Sequence, residues 1–120
     1  MLVWQKSHAL TLEIYQITKR FPRDELYGLT SQMRRSSSSI PTNIAEGAGR
    51  RSGDTEFKRF LEIALGSATE LEYQLILARD LEYIAPQTYL TLNALLSESK
   101  RMLVSLIQKL KSTQKLAARS

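Results

Sequence analysis

Residues 32–51 read Gln-Met-Arg-Arg-Ser-Ser-Ser-Ser-Ile-Pro-Thr-Asn-Ile-Ala-Glu-Gly-Ala-Gly-Arg-Arg, and this stretch decides the fold. Its composition opposes a helix, because four serines, a proline and two glycines all lower helix propensity. The spacing nevertheless predicts a helix, since side chains expected to face one way recur every three or four residues, at Leu26, Leu29, Met33, Ser36, Ile40, Asn43 and Gly47. We therefore predict that packing against neighbouring helices overrides the local preference.

A second line along the same predicted helix also carries mostly small side chains: Arg34, Ser38, Pro41, Ala45 and Ala48. Small side chains on two lines predict that other helices approach closely on more than one side. Pro41 has no N–H group, so it should bend the helix and leave the carbonyl of Ser37 without its usual donor.

Helical spacing recurs in three other segments. The first runs from Val3 to Phe21, where Pro22 ends it, and a short turn over residues 23–28 leads into the second helix, which begins at about Leu26 or Leu29 and ends at Gly47. The third begins at a cap supplied by Ser52 or Asp54 and ends near Tyr83, and the fourth begins at Pro86. Gly66 costs a helix roughly 1 kcal/mol relative to Ala, so it predicts a close helix crossing.

Four amphipathic helices with short connections predict an all-α, up-and-down antiparallel four-helix bundle over residues 1–111. Residues 112–120 are polar and basic without a stripe, and we expect a frayed tail there. The alternative is a helical pair that completes its core by dimerisation.

Composition limits the classes of function. The 120 residues, 42% hydrophobic and 24% charged, suit one globular domain, and no run approaches the ~18 apolar residues of a membrane span, so we expect a cytoplasmic protein without a membrane partner. There is one histidine, His8, no cysteine and no Glu-x-x-His pair. We therefore expect no catalytic residues, metal or cofactor.

Charge points to an anionic partner. Lys and Arg number 17 against 12 Asp and Glu, which gives a net charge of +5, and a basic surface attracts RNA or DNA. The candidate nucleic-acid-binding residues are Arg50, Arg51, Lys58 and Arg59 as the preferred patch, together with Lys19, Arg20 and Arg23. Acids at positions 54, 56 and 62 leave open a plain solvated face.

Polar residues near the seam raise a question of assembly. Asn43 lies on the predicted buried line, and a buried Asn fixes helix register when it finds hydrogen-bond partners. Glu46 is expected to pair with Arg35 or with an arginine of a neighbouring subunit, and Glu70 offers a second acid. The alternative is a solvated acid and a capping Asn beside the proline.

These residues resemble a known family. The motifs are Trp4-Gln5-Lys6, Ile14-Tyr15, Phe21-Pro22, Glu25-x-Tyr27-Gly28-Leu29, Gln32-Met33-Arg34-Arg35, Ser39-Ile40-Pro41-x-Asn43-Ile44-Ala45-Glu46-Gly47, Phe60-Leu61 and Gly66-Ser67-x-x-Glu70-Leu71-Glu72. Over about Trp4 to Tyr83 the chain resembles the bacterial four-helix-bundle proteins encoded in intervening sequences of 23S ribosomal RNA genes. It departs from their pattern at Ser36 and Ser37, where small apolar residues are common, and near Glu82, where a glycine usually precedes the tyrosine.

The resemblance implies a four-helix bundle that assembles as a homopentamer, with Arg34, Arg35, Asn43, Glu46, Gly47 and Glu70 as its structural or oligomer motif. It also implies a relationship to the accessory protein of diversity-generating retroelements, a basic pentamer that binds nucleic acid and a reverse transcriptase. The family has no agreed biochemical activity. We thus expect an oligomeric bundle that holds RNA or DNA on a basic outer surface, alone or with a protein partner. The alternative is a protein-interaction scaffold that binds no nucleic acid.

Overall fold

The computed structural model describes residues 1–50 and 53–119. Four α-helices occupy most of them: α1 (Leu2–Thr18), α2 (Leu29–Gly49), α3 (Asp54–Asp80) and α4 (Pro86–Arg119), with a single 3-10 turn (Arg23–Glu25) between α1 and α2. None of these helices combines the length and the apolar character that crossing a bilayer requires.

The helices form a square bundle. The backbones of α1 and α2, α2 and α3, α3 and α4, and α4 and α1 approach each other closely, whereas those of the diagonal pairs do not within the described ranges. Neighbouring helices are antiparallel, as the contacts between α2 and α3 illustrate. Arg35 meets Glu70, whereas Ser39, which is further along α2, meets Ser67, which is earlier in α3. The predicted all-α, antiparallel four-helix bundle is therefore confirmed, with dimensions of 56 × 23 × 19 Å.

The buried side of α2 is broader than the predicted stripe. Leu29, Met33, Ile40 and Gly47 are buried as expected, and so is Ser36. Further buried residues lie one position along, at Ser37, Pro41 and Ile44. The added width has a simple cause, because α2 packs against α1 on one side and α3 on the other.

Two members of that stripe were predicted wrongly. Leu26 is 50% exposed, since α2 begins only at Leu29 and Leu26 belongs to the preceding turn. Asn43 is half-buried rather than central, and its amide nitrogen donates to the carbonyl oxygen of Ser39, 2.8 Å away, in its own helix.

Pro41 lies inside α2 without ending the helix. The Ser37 carbonyl, which loses its usual N–H donor to the proline, has a replacement on α1: the Oγ1 of Thr11 lies 2.9 Å from the Ser37 oxygen. The same hydroxyl lies 3.0 Å from the carbonyl oxygen of Ser7. A buried threonine on one helix thus satisfies a backbone acceptor that proline leaves open on the next.

Gly47 marks the closest approach of α2 to α3. A Cβ atom at this position would lie 2.7 Å from the Cβ of Phe60 and 2.9 Å from a ring carbon of Phe57. Only a glycine therefore fits here. Gly66 differs from the prediction, since it is exposed and a Cβ there would meet no atom within 4 Å. The close crossing predicted for Gly66 lies at Gly47 instead.

The helix ends differ from the predictions at three points. Gly53, not Asp54, is the N-cap of α3 and forms no side-chain cap bond, while Ser52 lies outside the described residues. The third helix ends at Asp80 rather than near Tyr83. The expected frayed tail is instead helical through Arg119, because residues 108–119 include many good helix formers such as Lys, Gln, Leu, Ala and Arg.

Removing the Thr11 hydroxyl should destabilise the bundle. We expect Thr11→Val to lower the free energy of unfolding by about 1–3 kcal/mol, because it leaves the buried Ser37 carbonyl without a donor. In a Pro41→Ala background the restored N–H serves that carbonyl, so the same substitution should cost clearly less. Urea unfolding of the four proteins in this cycle measures the coupling. Equal costs in both backgrounds would contradict the assignment.

A side chain at Gly47 should also be costly. Gly47→Ala is expected to lower the free energy of unfolding by about 1–3 kcal/mol, since its methyl group would overlap the Phe60 side chain. Gly49→Ala is the control in the same helix, because a Cβ there meets nothing within 4 Å, and it should leave stability unchanged or raise it. Similar losses for both variants, measured by thermal or urea unfolding, would count against the close approach.

Candidate nucleic-acid interface

The preferred patch predicted from the sequence, which we call the loop patch, has two of its arginines beside one aromatic ring. The guanidinium groups of Arg50, at the end of α2, and Arg59, in the second turn of α3, each lie 5.0 Å from the centre of the Phe60 ring. Cations at this distance are attracted to the face of an aromatic ring. Phe60 therefore holds Arg50 and Arg59 close together. Arg51 lies outside the described residues.

Every described cation of this patch already has an acidic partner. Arg50 contacts Glu46 at 2.9 Å, Lys58 contacts Glu62 at 3.7 Å and Arg59 contacts Glu56 at 2.7 Å. The hydrogen bond from Arg59 lowers the pKa of Glu56, and the same bond raises the pKa of Arg59. A phosphate that approaches this patch meets paired rather than free cations.

The second predicted cluster lies at the opposite end of the bundle. Lys19, Arg20 and Arg23 are all exposed, and they form no ion pair within residues 1–50 and 53–119. Lys19 and Arg20 line an open cavity of about 560 Å³ between the end of α1 and the start of α4. Its other lining residues are Gln16, Ile17, Tyr83, Ile84, Ala85 and Thr88.

The chain beside this cavity is fixed by the end of α3. The N–H of Tyr83 donates to the carbonyl of Ala78, and that of Glu82 to the carbonyl of Arg79, which is the Schellman arrangement. The hydroxyl of Tyr83 donates to Glu25, 2.9 Å away, and this bond raises the pKa of Tyr83. The other carboxylate oxygen of Glu25 accepts from the N–H of Leu29, so one acid joins the start of α2 to the end of α3.

Two of the predicted motif residues connect α2 to its neighbours. The Nε of Arg34 donates to the hydroxyl of Thr18, 2.9 Å away, and its guanidinium group lies 4.7 Å from the centre of the Tyr15 ring. Arg34 therefore holds α2 against the last turns of α1. Arg35 contacts Glu70 on α3 at 2.9 Å.

A polar network continues from that ion pair into the core. Glu70 also accepts from the amide of Gln74, and the amide oxygen of Gln74 accepts from the hydroxyl of Ser36 at 2.6 Å. Gln74 and Ser36 are both buried. Glu70 was predicted from the sequence as an acid of a polar network, whereas Gln74 was not predicted to join it. The available indication for Gln74 was its spacing of three and four residues from the buried Leu71 and Ala78.

The expected pairing of Glu46 with Arg35 is wrong within the subunit. Glu46 contacts Arg50 and Arg35 contacts Glu70. Eleven residues correspond to about 16 Å along a helix, which two side chains do not span.

Asn43 also donates to the hydroxyl of Ser39, which lies 2.8 Å from the hydroxyl of Ser67 on α3. These short polar bonds join the two helices where the small residues bring them together.

A second open cavity, of about 710 Å³, lies between α1 and α2. Trp4 and His8 stack with their ring centres 5.0 Å apart, and both line it. Leu12 and Tyr15 of α1 and Ala45 of α2 also line this cavity, and all three are exposed. We call this cavity the α1–α2 groove. No group of three or more His, Asp or Glu side chains in the described part of the chain is placed to hold a metal ion.

The fold and the surface charges together define a basic, all-α four-helix bundle. A family model described as 23S rRNA-intervening sequence protein matches residues 1–105, and the chain belongs to this family. The solved structures include a similar protein of unknown function from the S23 ribosomal protein family of Bacteroides thetaiotaomicron, with a TM-score of 0.80 and 32% sequence identity over 88% of this chain and 97% of that chain. A comparison with curated proteins gives no match. The resemblance found in the motifs is thus confirmed.

The end of α3 offers a test of local strain. Glu82 has a positive φ of 64°, and a side chain in this conformation is unfavourable. We expect Glu82→Gly to raise the free energy of unfolding by about 0.5–1 kcal/mol in urea titrations. Glu82→Ala removes the same charge but keeps a Cβ, so it should gain little. Equal gains would assign the effect to charge instead of backbone conformation.

Proposed function

We propose that this chain is a non-enzymatic, oligomeric helical-bundle protein that binds RNA or DNA through basic residues on its outer surface. The observation that carries the proposal is the exposed cluster of Lys19, Arg20 and Arg23, which has no acidic partner among the described residues. Asp24 follows this cluster in the chain but pairs with none of it.

Unpaired cations are the better phosphate ligands for a physical reason. A free lysine or arginine on the surface exchanges only mobile counterions and water for the phosphate, and the counterions released from the nucleic acid favour binding. A cation of the Phe60 patch must instead share its charge with a carboxylate at 2.7–3.7 Å. The cluster of Lys19, Arg20 and Arg23 is therefore expected to contribute more to binding than the patch of Arg50, Lys58 and Arg59.

Two triple variants test this order. Lys19→Gln, Arg20→Gln and Arg23→Gln together remove three unpaired charges, while Arg50→Gln, Lys58→Gln and Arg59→Gln remove three paired ones and serve as the matched control. For a generic duplex, the Lys19, Arg20 and Arg23 variant should make the negative slope of log affinity against log salt less steep by about two to three, because each phosphate contact contributes about 0.9. The control should change it less. Fluorescence anisotropy over a salt series measures both.

The proposal fails if the wild-type protein binds neither RNA nor DNA at low salt, or if its binding does not depend on salt. A larger loss from the loop-patch triple would show instead that the ion-paired arginines exchange their acids for phosphate, and would contradict the assignment to Lys19, Arg20 and Arg23.

The oligomer is the second part of the proposal, with a second copy of this chain as the occupant of the α1–α2 groove. Leu12 is 54% and Tyr15 40% exposed there, and small side chains such as Ala45 form the α2 side. A different face carries exposed apolar side chains on α3, where Ile63 and Tyr73 lie on either side of Gly66 and form what we call the α3 stripe. Gly66 makes no close contact in the subunit, yet glycine in mid-helix costs stability, so a helix from another subunit accounts for it.

The groove and the stripe are different surfaces, so an interface between them is heterologous. Such interfaces form closed rings when the rotation between subunits permits it. The homopentamer implied by the family resemblance is an arrangement of this kind. Of the residues that the resemblance assigned to the oligomer motif, Glu46 lines this groove and Arg34 contacts the groove residue Tyr15. Asn43 lies on the α3 side of α2 instead.

A charge on the α2 side of the groove should break the ring. Wild-type protein is expected to have about five times the 13.7 kDa mass of the chain in light scattering. Ala45→Glu should reduce that mass to the monomer, because it places a carboxylate in an apolar contact. Ala94→Glu on the exposed face of α4 is the control and should leave the oligomer intact. A monomeric wild type, or an unaffected Ala45→Glu variant, would refute this interface.

The second candidate function is a protein-interaction scaffold that binds no nucleic acid. The pairing of Arg50, Lys58 and Arg59 with acids favours it, because paired cations contribute to solubility and helix stability without any anionic partner. The salt series on the wild-type protein decides between the two, since a scaffold shows no salt-dependent affinity for RNA or DNA.

A further inference from the structure

The C-terminal part of α4 extends beyond the residues that the family model matches. The family model ends at residue 105, whereas α4 continues to Arg119. The last buried side chain is Leu110, so the residues that follow add nothing to the core. We call residues 111–119 the C-terminal arm.

The arm is uniformly basic. Glu98 is the last acidic residue of the chain, and the arm carries Lys111, Lys115 and Arg119. These three are spaced four residues apart, which places them on one face of the helix as a row of about 12 Å. All three are exposed, and none forms an ion pair with a described residue.

Such a row is unfavourable in an isolated helix. Like charges four residues apart destabilise a helix by about 0.2–0.5 kcal/mol for each pair. The negative end of the helix dipole offsets this cost only within the last turn, which leaves Lys111 without that benefit. An external anion along the row removes the repulsion.

The arm is also held in place against the bundle. The amide nitrogen of Gln114 donates to the hydroxyl of Thr55 in the first turn of α3, over 2.8 Å. This bond fixes the arm beside the start of α3, so the row of cations has a defined orientation. A pre-ordered row loses less conformational entropy on binding than three independent side chains on a flexible tail.

We propose that the C-terminal arm binds the sugar-phosphate backbone of a nucleic acid through Lys111, Lys115 and Arg119, at the end of the bundle opposite the cluster of Lys19, Arg20 and Arg23. The inference rests on the proposed function. A row of about 12 Å spans roughly three to four phosphates of one strand, since each strand of duplex DNA carries one charge per ~3.4 Å of helix axis. Contacts of this kind position the nucleic acid and do not read its sequence.

An anionic lipid surface would supply phosphates too, but the arm lacks what a membrane-bound helix needs. Such helices present a broad apolar face opposite the basic one. Leu116 and the alanines at positions 117 and 118 are the only apolar residues of the arm. The chemistry of the arm therefore fits a nucleic-acid backbone better than a bilayer.

The test replaces the row in the full chain. Lys111→Gln, Lys115→Gln and Arg119→Gln together keep good helix formers and remove three charges. The matched control removes three ion-paired cations elsewhere, through Lys6→Gln, Arg79→Gln and Lys100→Gln. We expect the arm variant to bind a generic duplex roughly tenfold more weakly at low salt, with a salt slope lower by about two to three, while the control changes less. Circular dichroism verifies that helix content is retained.

Three outcomes would overturn the inference. If the arm variant binds as the wild type does while the Lys19, Arg20 and Arg23 variant loses affinity, the arm is not a contact and the proposed function stands. If the wild type shows no salt-dependent binding, both proposals fail together. If the arm triple abolishes binding to vesicles of anionic phospholipid but leaves duplex binding unchanged, the partner of the arm is a membrane surface.

Discussion

The bundle depends on how closely α1 and α3 approach α2 from its two sides. On the α3 side this distance is set by the absence of a side chain at Gly47, which lets Phe60 rest against the helix backbone. On the α1 side, Pro41 removes a backbone donor and the Thr11 hydroxyl of the neighbouring helix supplies another. The serines of α2 belong to the same arrangement, because their short side chains form hydrogen bonds locally and across to α3 while leaving room for the adjacent helices. A helix with poor local propensity is thus held by its neighbours.

Most of the fold was predictable, because it follows from spacing. The four helices, their order and most of the buried positions of α1 and α4 follow from side chains that recur every three or four positions. Thr11 and Thr18, both buried in α1, lie outside that recurrence. The errors concern features that spacing does not encode. The position of Gly66 on the outside of α3, and that of Gly47 at the crossing, depends on which helices are neighbours. The helical tail was missed because burial was the criterion, and residues after Leu110 form a helix without it.

The candidate site was predictable only in part. Sequence identified both basic clusters, but it gave no means of telling paired cations from unpaired ones. That distinction depends on side chains a turn apart on one helix, such as Arg59 with Glu56, or on different helices, such as Arg35 with Glu70. The predicted pairing of Glu46 with Arg35 is wrong for a related reason. The two residues lie on nearly the same face of α2, but they are too far apart along its axis to meet. A helical projection shows on which face of the helix a residue lies, but only the structure shows how far apart two residues are along the helix axis.

The stacked Trp4 and His8 rings have a practical consequence. Trp4 is the sole indole of the chain, and its ring lines the α1–α2 groove in contact with an imidazole. The tryptophan fluorescence therefore originates from one known place on the molecule. Any event that excludes water from this groove shifts the wavelength of that emission. Emission from Trp4 therefore reports on the subunit association proposed for this groove, without an added dye.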